Sequence, residues 1–131
     1  MSDSDPTDIE EIRQQKRESL EQTADAATEP LHVESQEHFQ SLTADHDVLL
    51  VDFFADWCGP CDMLEPIVER VAAETPATVA KVDIDELQAL AQEFGVRSVP
   101  TLLLFADGDQ VEQLVGVQEE ATLRDLVGRY A

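Results

Sequence analysis

The strongest constraint on this chain is the stretch Val51-Asp52-Phe53-Phe54-Ala55-Asp56-Trp57-Cys58-Gly59-Pro60-Cys61, which holds both cysteines of the sequence. An apolar run leads into it and an amphipathic run starts at Cys58, so the dithiol falls at a strand-to-helix junction. Residues three apart on a first helical turn lie side by side on one face. The two sulfurs can therefore join as a disulfide or part as thiols with little backbone movement. Pro60 fits a first turn because the donor it lacks has no intrahelical partner there. Gly59 places no side chain over the sulfurs, which leaves them open to a substrate.

Free backbone N–H groups and the helix dipole favour negative charge at such a junction. Cys58 is expected to be the nucleophilic thiolate. Cys61, one turn further in, is expected to be less exposed and to resolve the mixed disulfide formed on Cys58. Two other uses of the pair stay open on spacing alone. A zinc site wants about four ligands, yet there is no second cysteine pair, and His32, His38 and His46 all lie upstream without ligand spacing; no metal is expected. A purely structural disulfide is the other use. Trp57 before the pair, Gly-Pro inside it and an apolar strand ahead of it favour redox chemistry.

Asp52 interrupts the apolar run Val48–Phe54. A carboxylate in a buried strand is costly unless it is paired or neutral, and desolvation raises its proton affinity. Six residues before Cys58, it can sit beneath the helix start, close to Cys61.

Trp57-Cys58-Gly59-Pro60-Cys61 resembles the active-site motif of the thioredoxin family. The resemblance continues in AKVDID (residues 80–85) and GVRSVPTLLLFADG (residues 95–108), and it spans residues 31–131 in matching order. It implies an α/β thioredoxin fold, a mixed central β-sheet flanked by helices. It implies a protein disulfide reductase that works through Cys58 and Cys61 with no bound cofactor. Electrons would come from a separate reductase, a flavoprotein thioredoxin reductase, and pass to disulfide-containing target proteins; the chain would act as a monomer. By the same resemblance Asp52 moves the proton of Cys61, as base in resolution and acid in reverse. Lys81 would pair with Asp52 and oppose its raised proton affinity, the alternative being a lysine that snorkels to the surface. Trp57, Gly59, Pro60, Ile84, Val99, Pro100 and Gly116 would form the contact surface. Pro100 would follow a cis peptide facing the dithiol, and the Val99 backbone would pair with an extended substrate segment. Two positions depart from the pattern. Phe54 stands where many members have a second tryptophan, and Asp62 where lysine is common. A carboxylate after Cys61 disfavours the Cys58 thiolate, an effect that salt screens.

Twenty-nine acidic residues against eight basic ones give a net charge of −21, with Lys16 and Lys81 the only lysines. This acidity repels nucleic acid and anionic membranes. A 43% hydrophobic content still provides for a core in a chain of 131 residues. Carboxylates outnumbering lysine in this way fit a cytosolic protein of an extreme halophile, because at molar salt the Debye length falls to about 3 Å and self-repulsion is screened. No stretch approaches the roughly 20 apolar residues of a membrane span, and no basic segment followed by an apolar run opens the chain. The expected compartment is the cytoplasm, where a cysteine pair is more often catalytic than structural.

Residues 1–30 read as an acidic N-terminal extension. Thr7 and Glu10 have the spacing of a capping box, the apolar stripe Ile9, Ile12, Leu20 is thin, and Thr23 to Pro30 resembles a linker. A solvated charged helix, a disordered segment and a docking helix for a partner all fit. The remainder reads as strand (31–33), helix capped by Ser35, strand (48–54), helix (58–74) with Pro66 kinking it, and strand (78–83). A helix capped by Asp85 and closed by Gly95 follows, then strand (101–106), an Asp107-Gly108 turn, an edge strand (110–115) and a final helix whose inward stripe is Leu123, Leu126, Val127 and Tyr130. Two rival functions use the same residues: an oxidase or isomerase, and a binding module that holds a partner in the groove or on the N-terminal helix.

Overall fold

The computed structural model describes residues 28–131. The expected extension, with its Thr7/Glu10 capping box, lies outside the described residues except for its last three positions. The order is β1 (Leu31–His32), α1 (Gln36–Asp45), β2 (Val48–Phe54), α2 (Gly59–Glu74), β3 (Thr78–Asp83), α3 (Gln88–Glu93), β4 (Thr101–Ala106), β5 (Asp109–Val115), α4 (Glu120–Tyr130). The five strands form one mixed sheet in the order β1-β3-β2-β4-β5. The β1–β3 and β3–β2 pairs are parallel, whereas β4 runs antiparallel to both β2 and β5.

The central strands are apolar on both faces because helices cover both. Alternation along β2 sends Val48 and Leu50 to one side, with Leu64, Val68 and Val71 of α2 and Leu123, Leu126 and Val127 of α4. Leu49, Val51 and Phe53 go to the other side, with Phe39 and Leu42 of α1 and Leu90 and Ala91 of α3. Asp52 follows the first parity, so it occupies the face beneath α2.

Local chemistry explains most boundaries. The Ser35 side chain accepts from the His38 N–H and starts α1. After α3, the Gly95 N–H donates to Gln92 and the Val96 N–H to Ala91, the paired bonds of a Schellman ending. Asp107 and Gly108 both hold positive φ, the condition for a two-residue type I′ hairpin. The helix α2 runs on past Pro66 to Glu74.

Two expectations are corrected. Asp85 does not cap α3: the residue preceding that helix is Leu87, with no side-chain cap bond. The intervening turn is held instead by Asp83, whose Oδ1 accepts from the Asp85 and Glu86 N–H groups. Tyr130 is not part of the inward stripe; it lies exposed at the end of α4, its hydroxyl donating to Glu112 at 3.0 Å.

Leu64 is fully buried on α2, and its neighbour Met63 is 67% exposed. Leu64→Ala is expected to cost about 2–5 kcal/mol and Met63→Ala less than about 0.5 kcal/mol, read by denaturant unfolding in molar KCl. Similar losses in both variants would contradict this packing of α2 on the sheet.

Candidate active site

Cys58 is the N-cap of α2, in extended conformation, and its sulfur accepts from the Cys61 N–H at 3.1 Å. Gly59 and Pro60 fill the first helical positions and face solvent. The two cysteines are joined as a disulfide with Cα atoms 5.3 Å apart, so the structure is that of the oxidised protein. The expected difference in exposure is absent: both are 4% exposed. Cys58 is covered because the loop before β4 packs against it, its sulfur lying 3.6 Å from the Val99 carbonyl oxygen.

Other elements converge on the same point. Ile84 and Val99 pack with Ala55, Cys58, Cys61 and Phe54 in one small apolar cluster. The Val99–Pro100 peptide is cis, and the Pro100 carbonyl accepts from the Gly116 N–H at 2.8 Å. Gly116 has φ +90°, and a Cβ there would meet nothing within 4 Å; backbone conformation, rather than lack of space, requires glycine. Trp57 is 69% exposed, with its indole N–H donating to Asp85 Oδ2 at 2.9 Å. Asp85 therefore belongs to this site, and only the tertiary fold reveals it.

Beneath α2, Asp52 is 1% exposed, and its Oδ1 has no hydrogen-bond partner among the described residues. Burial pushes its carboxyl up to about 7; the Lys81 charge opposes the rise, and Glu65 adds to it. Lys81 is the register partner of Asp52 across β2 and β3 and is itself buried. It does not snorkel to the surface. Nor does it bond to Asp52: its ammonium is bonded to Glu65 and lies 4.3 Å from the centre of the Phe54 ring. Helical periodicity alone puts Glu65 on a wetter face of α2. The signal that finds it is its i+4 spacing from Cys61, which puts both on the helix flank turned to the sheet. Among the described residues, no group of three or more His, Cys, Asp and Glu side chains is arranged to hold a metal ion. None of the described helices is long and apolar enough to cross a membrane.

The thioredoxin family model matches residues 29–129. The chain belongs to the thioredoxin family. It is 46% identical over 101 residues to a thioredoxin of Chlamydia muridarum, a match covering 76% of this chain and 98% of that one. It is similar in structure to a thioredoxin mutant from Halobacterium salinarum, with a TM-score of 0.78 and 58% identity over 80% of this chain and 93% of that one. It is also 41% identical over 99 residues to a bifunctional thioredoxin reductase/thioredoxin of Mycobacterium leprae, covering 73% of this chain and 22% of that one. As a thioredoxin-family protein, the chain carries out thiol–disulfide exchange through Cys58 and Cys61. Thioredoxins use their own cysteine pair as the redox group and work with a thioredoxin reductase.

The proton affinity of Asp52 has a consequence for stability. A carboxyl whose folded value is about 7 against 3.8 unfolded stabilises the fold fully below pH 3.8 and loses that contribution as pH rises through 7. Asp52→Asn, which cannot ionise, is expected to melt at higher temperature than wild type at about pH 8, with the gap closing toward about pH 4. Equal melting temperatures at the higher pH would contradict the buried, unpaired carboxyl.

Proposed function

We propose that the chain reduces disulfides in target proteins, with Cys58 as attacking sulfur, Cys61 as resolving sulfur and Asp52 as proton carrier. The observation that carries this reading is the Cys61 N–H aimed at Cys58 Sγ at the start of α2. A donor there stabilises charge on Cys58, and the helix dipole adds to it.

In the reduced protein the Cys58 thiolate attacks one sulfur of the target disulfide. The S–S bond breaks, the far sulfur leaves as a thiolate, and a mixed disulfide forms on Cys58. Asp52 takes the proton of Cys61, whose thiolate then attacks Cys58 Sγ. The second target sulfur leaves as a thiolate, Cys58 and Cys61 become a disulfide, and the proton passes from Asp52 to the released thiolate. Two electrons have moved from the chain to the target. Trp57, Gly59, Pro60, Ile84, Val99, Pro100 and Gly116 would border the docked target, whose extended backbone would pair with Val99. Lys81 tunes the proton affinity of Asp52.

A separate flavoprotein thioredoxin reductase would restore the dithiol. The chain would act as a monomer in the cytoplasm of a cell with molar internal salt, a setting that its charge of −21 favours through screening. Residues 31–131 would form the working domain and residues 1–30 an acidic extension.

The test is dithiothreitol-driven reduction of a protein disulfide in molar KCl. Wild type is expected to turn over, and Cys58→Ser and Cys61→Ser to lose at least about a hundredfold in rate, as for loss of a nucleophile. Cys61→Ser should trap a mixed disulfide on Cys58. A folded wild type without turnover would point to the oxidase or the binding module, and retained activity in Cys58→Ser to the binding module.

A further inference from the structure

Lys81 sits opposite Asp52 in the β2–β3 register, and a buried cation beside a buried acid would ordinarily close on it. Here it does not: no ion pair joins the two among the described residues, and Asp52 Oδ1 is left without a partner. The ammonium is held elsewhere. On one side it bonds to Glu65 of α2. On another it rests 4.3 Å from the centre of the Phe54 ring, an attraction to the ring's negative face. Phe54 lies two residues beyond Asp52 on the same strand and therefore on the same face of the sheet. Its ring is in turn flanked by His32, the register partner of Lys81 on β1, at 6.2 Å.

Glu65 is suited to win this competition. Its side chain is 38% exposed while that of Lys81 is 5% exposed, and it opens onto a surface cleft shared with His32 and Glu69. Glu65 keeps part of its hydration, whereas Asp52 would have to ionise with almost none. We propose that Glu65 is a positioning residue for the proton step: by anchoring the Lys81 ammonium beside Phe54, it keeps Lys81 from closing on Asp52 and leaves that acid free to take and release the Cys61 proton. This rests on the proton-carrier role proposed above for Asp52. The charged groups that act on Asp52 are Lys81 from β3 and Glu65 from α2, with His32 on β1 beyond Lys81. The β4 strand presents Leu102 opposite it, an apolar partner.

The resolving step can be isolated with a chromogenic aromatic disulfide in molar KCl. Attack by Cys58 releases one aryl thiolate. Attack by Cys61 on the mixed disulfide releases the second as the Cys58–Cys61 bond forms. The rate of this second release should rise with pH as Asp52 loses its proton. In Glu65→Gln, which keeps the shape but not the charge, Lys81 is freed to approach Asp52, and the rising limb is expected about one pH unit lower. With Lys81→Met already present, Glu65→Gln should move the limb less than half as far. An unmoved limb in Glu65→Gln, or a shift of the same size without Lys81, would overturn the positioning role. Asp52→Asn separates the two levels: a limb that disappears there supports the proton-carrier role whatever Glu65 does. A limb that survives there overturns that role and the positioning role with it.

Discussion

Asp52 lies on a central strand whose other residues, Phe54 apart, are all buried, and a carboxylate there is tolerated only neutral or paired. The surroundings leave it largely unpaired. Apolar packing between the sheet and α2 excludes water, and the nearest cation is held by a different acid. The result is a carboxyl that changes charge near neutral pH, where proton transfer to and from a thiol is useful. The sheet, the helix above it and the arrangement of Lys81, Glu65 and Phe54 all act on this one group.

The dithiol is built from a different part of the same junction. The chain leaves β2, turns through Ala55 to Trp57 and enters α2, so Cys58 caps the helix and Cys61 lies one turn inside. The antiparallel strand β4 delivers the Val99–Pro100 loop to the opposite side, and Gly116 at the end of β5 ties that loop down. Three segments distant in sequence, residues 54–61, Ile84 and the Val99–Pro100 loop, thus meet at the two sulfurs. This also explains why Cys58 is no more exposed than Cys61: a helix start viewed alone has an open outer sulfur, and the loop before β4 closes over it.

The element order and most boundaries were legible in the sequence because local chemistry sets them. Ser35, Pro60, Gly95 and the Asp107-Gly108 pair act on the backbone within a few residues, and the apolar runs of β2 and β3 report burial on both faces. The misreadings arose where a side chain had a choice of partners. Asp85 has the right chemistry for a helix cap, but Trp57, distant in sequence, takes its carboxylate. Lys81 was expected on Asp52, yet Glu65 approaches from a helix whose rotation spacing alone does not fix. Tyr130 continues the α4 periodicity but falls at the helix end, where the sheet no longer covers it. Competition among charges is a tertiary property; turn and cap preferences are largely local.

The charge of −21 sets the conditions under which this account applies. Molar salt screens exposed carboxylates such as Asp62, while a group 1% exposed is screened far less. The environment of Asp52 should thus survive the salt that the rest of the surface favours. The most direct measurement is an NMR titration of the Asp52 carboxyl carbon in the oxidised protein at molar KCl. The account predicts a midpoint close to 7. A midpoint near the ordinary aspartate value of about 3.9 would contradict it, because Asp52 would then be paired or solvated rather than buried with an unpartnered oxygen.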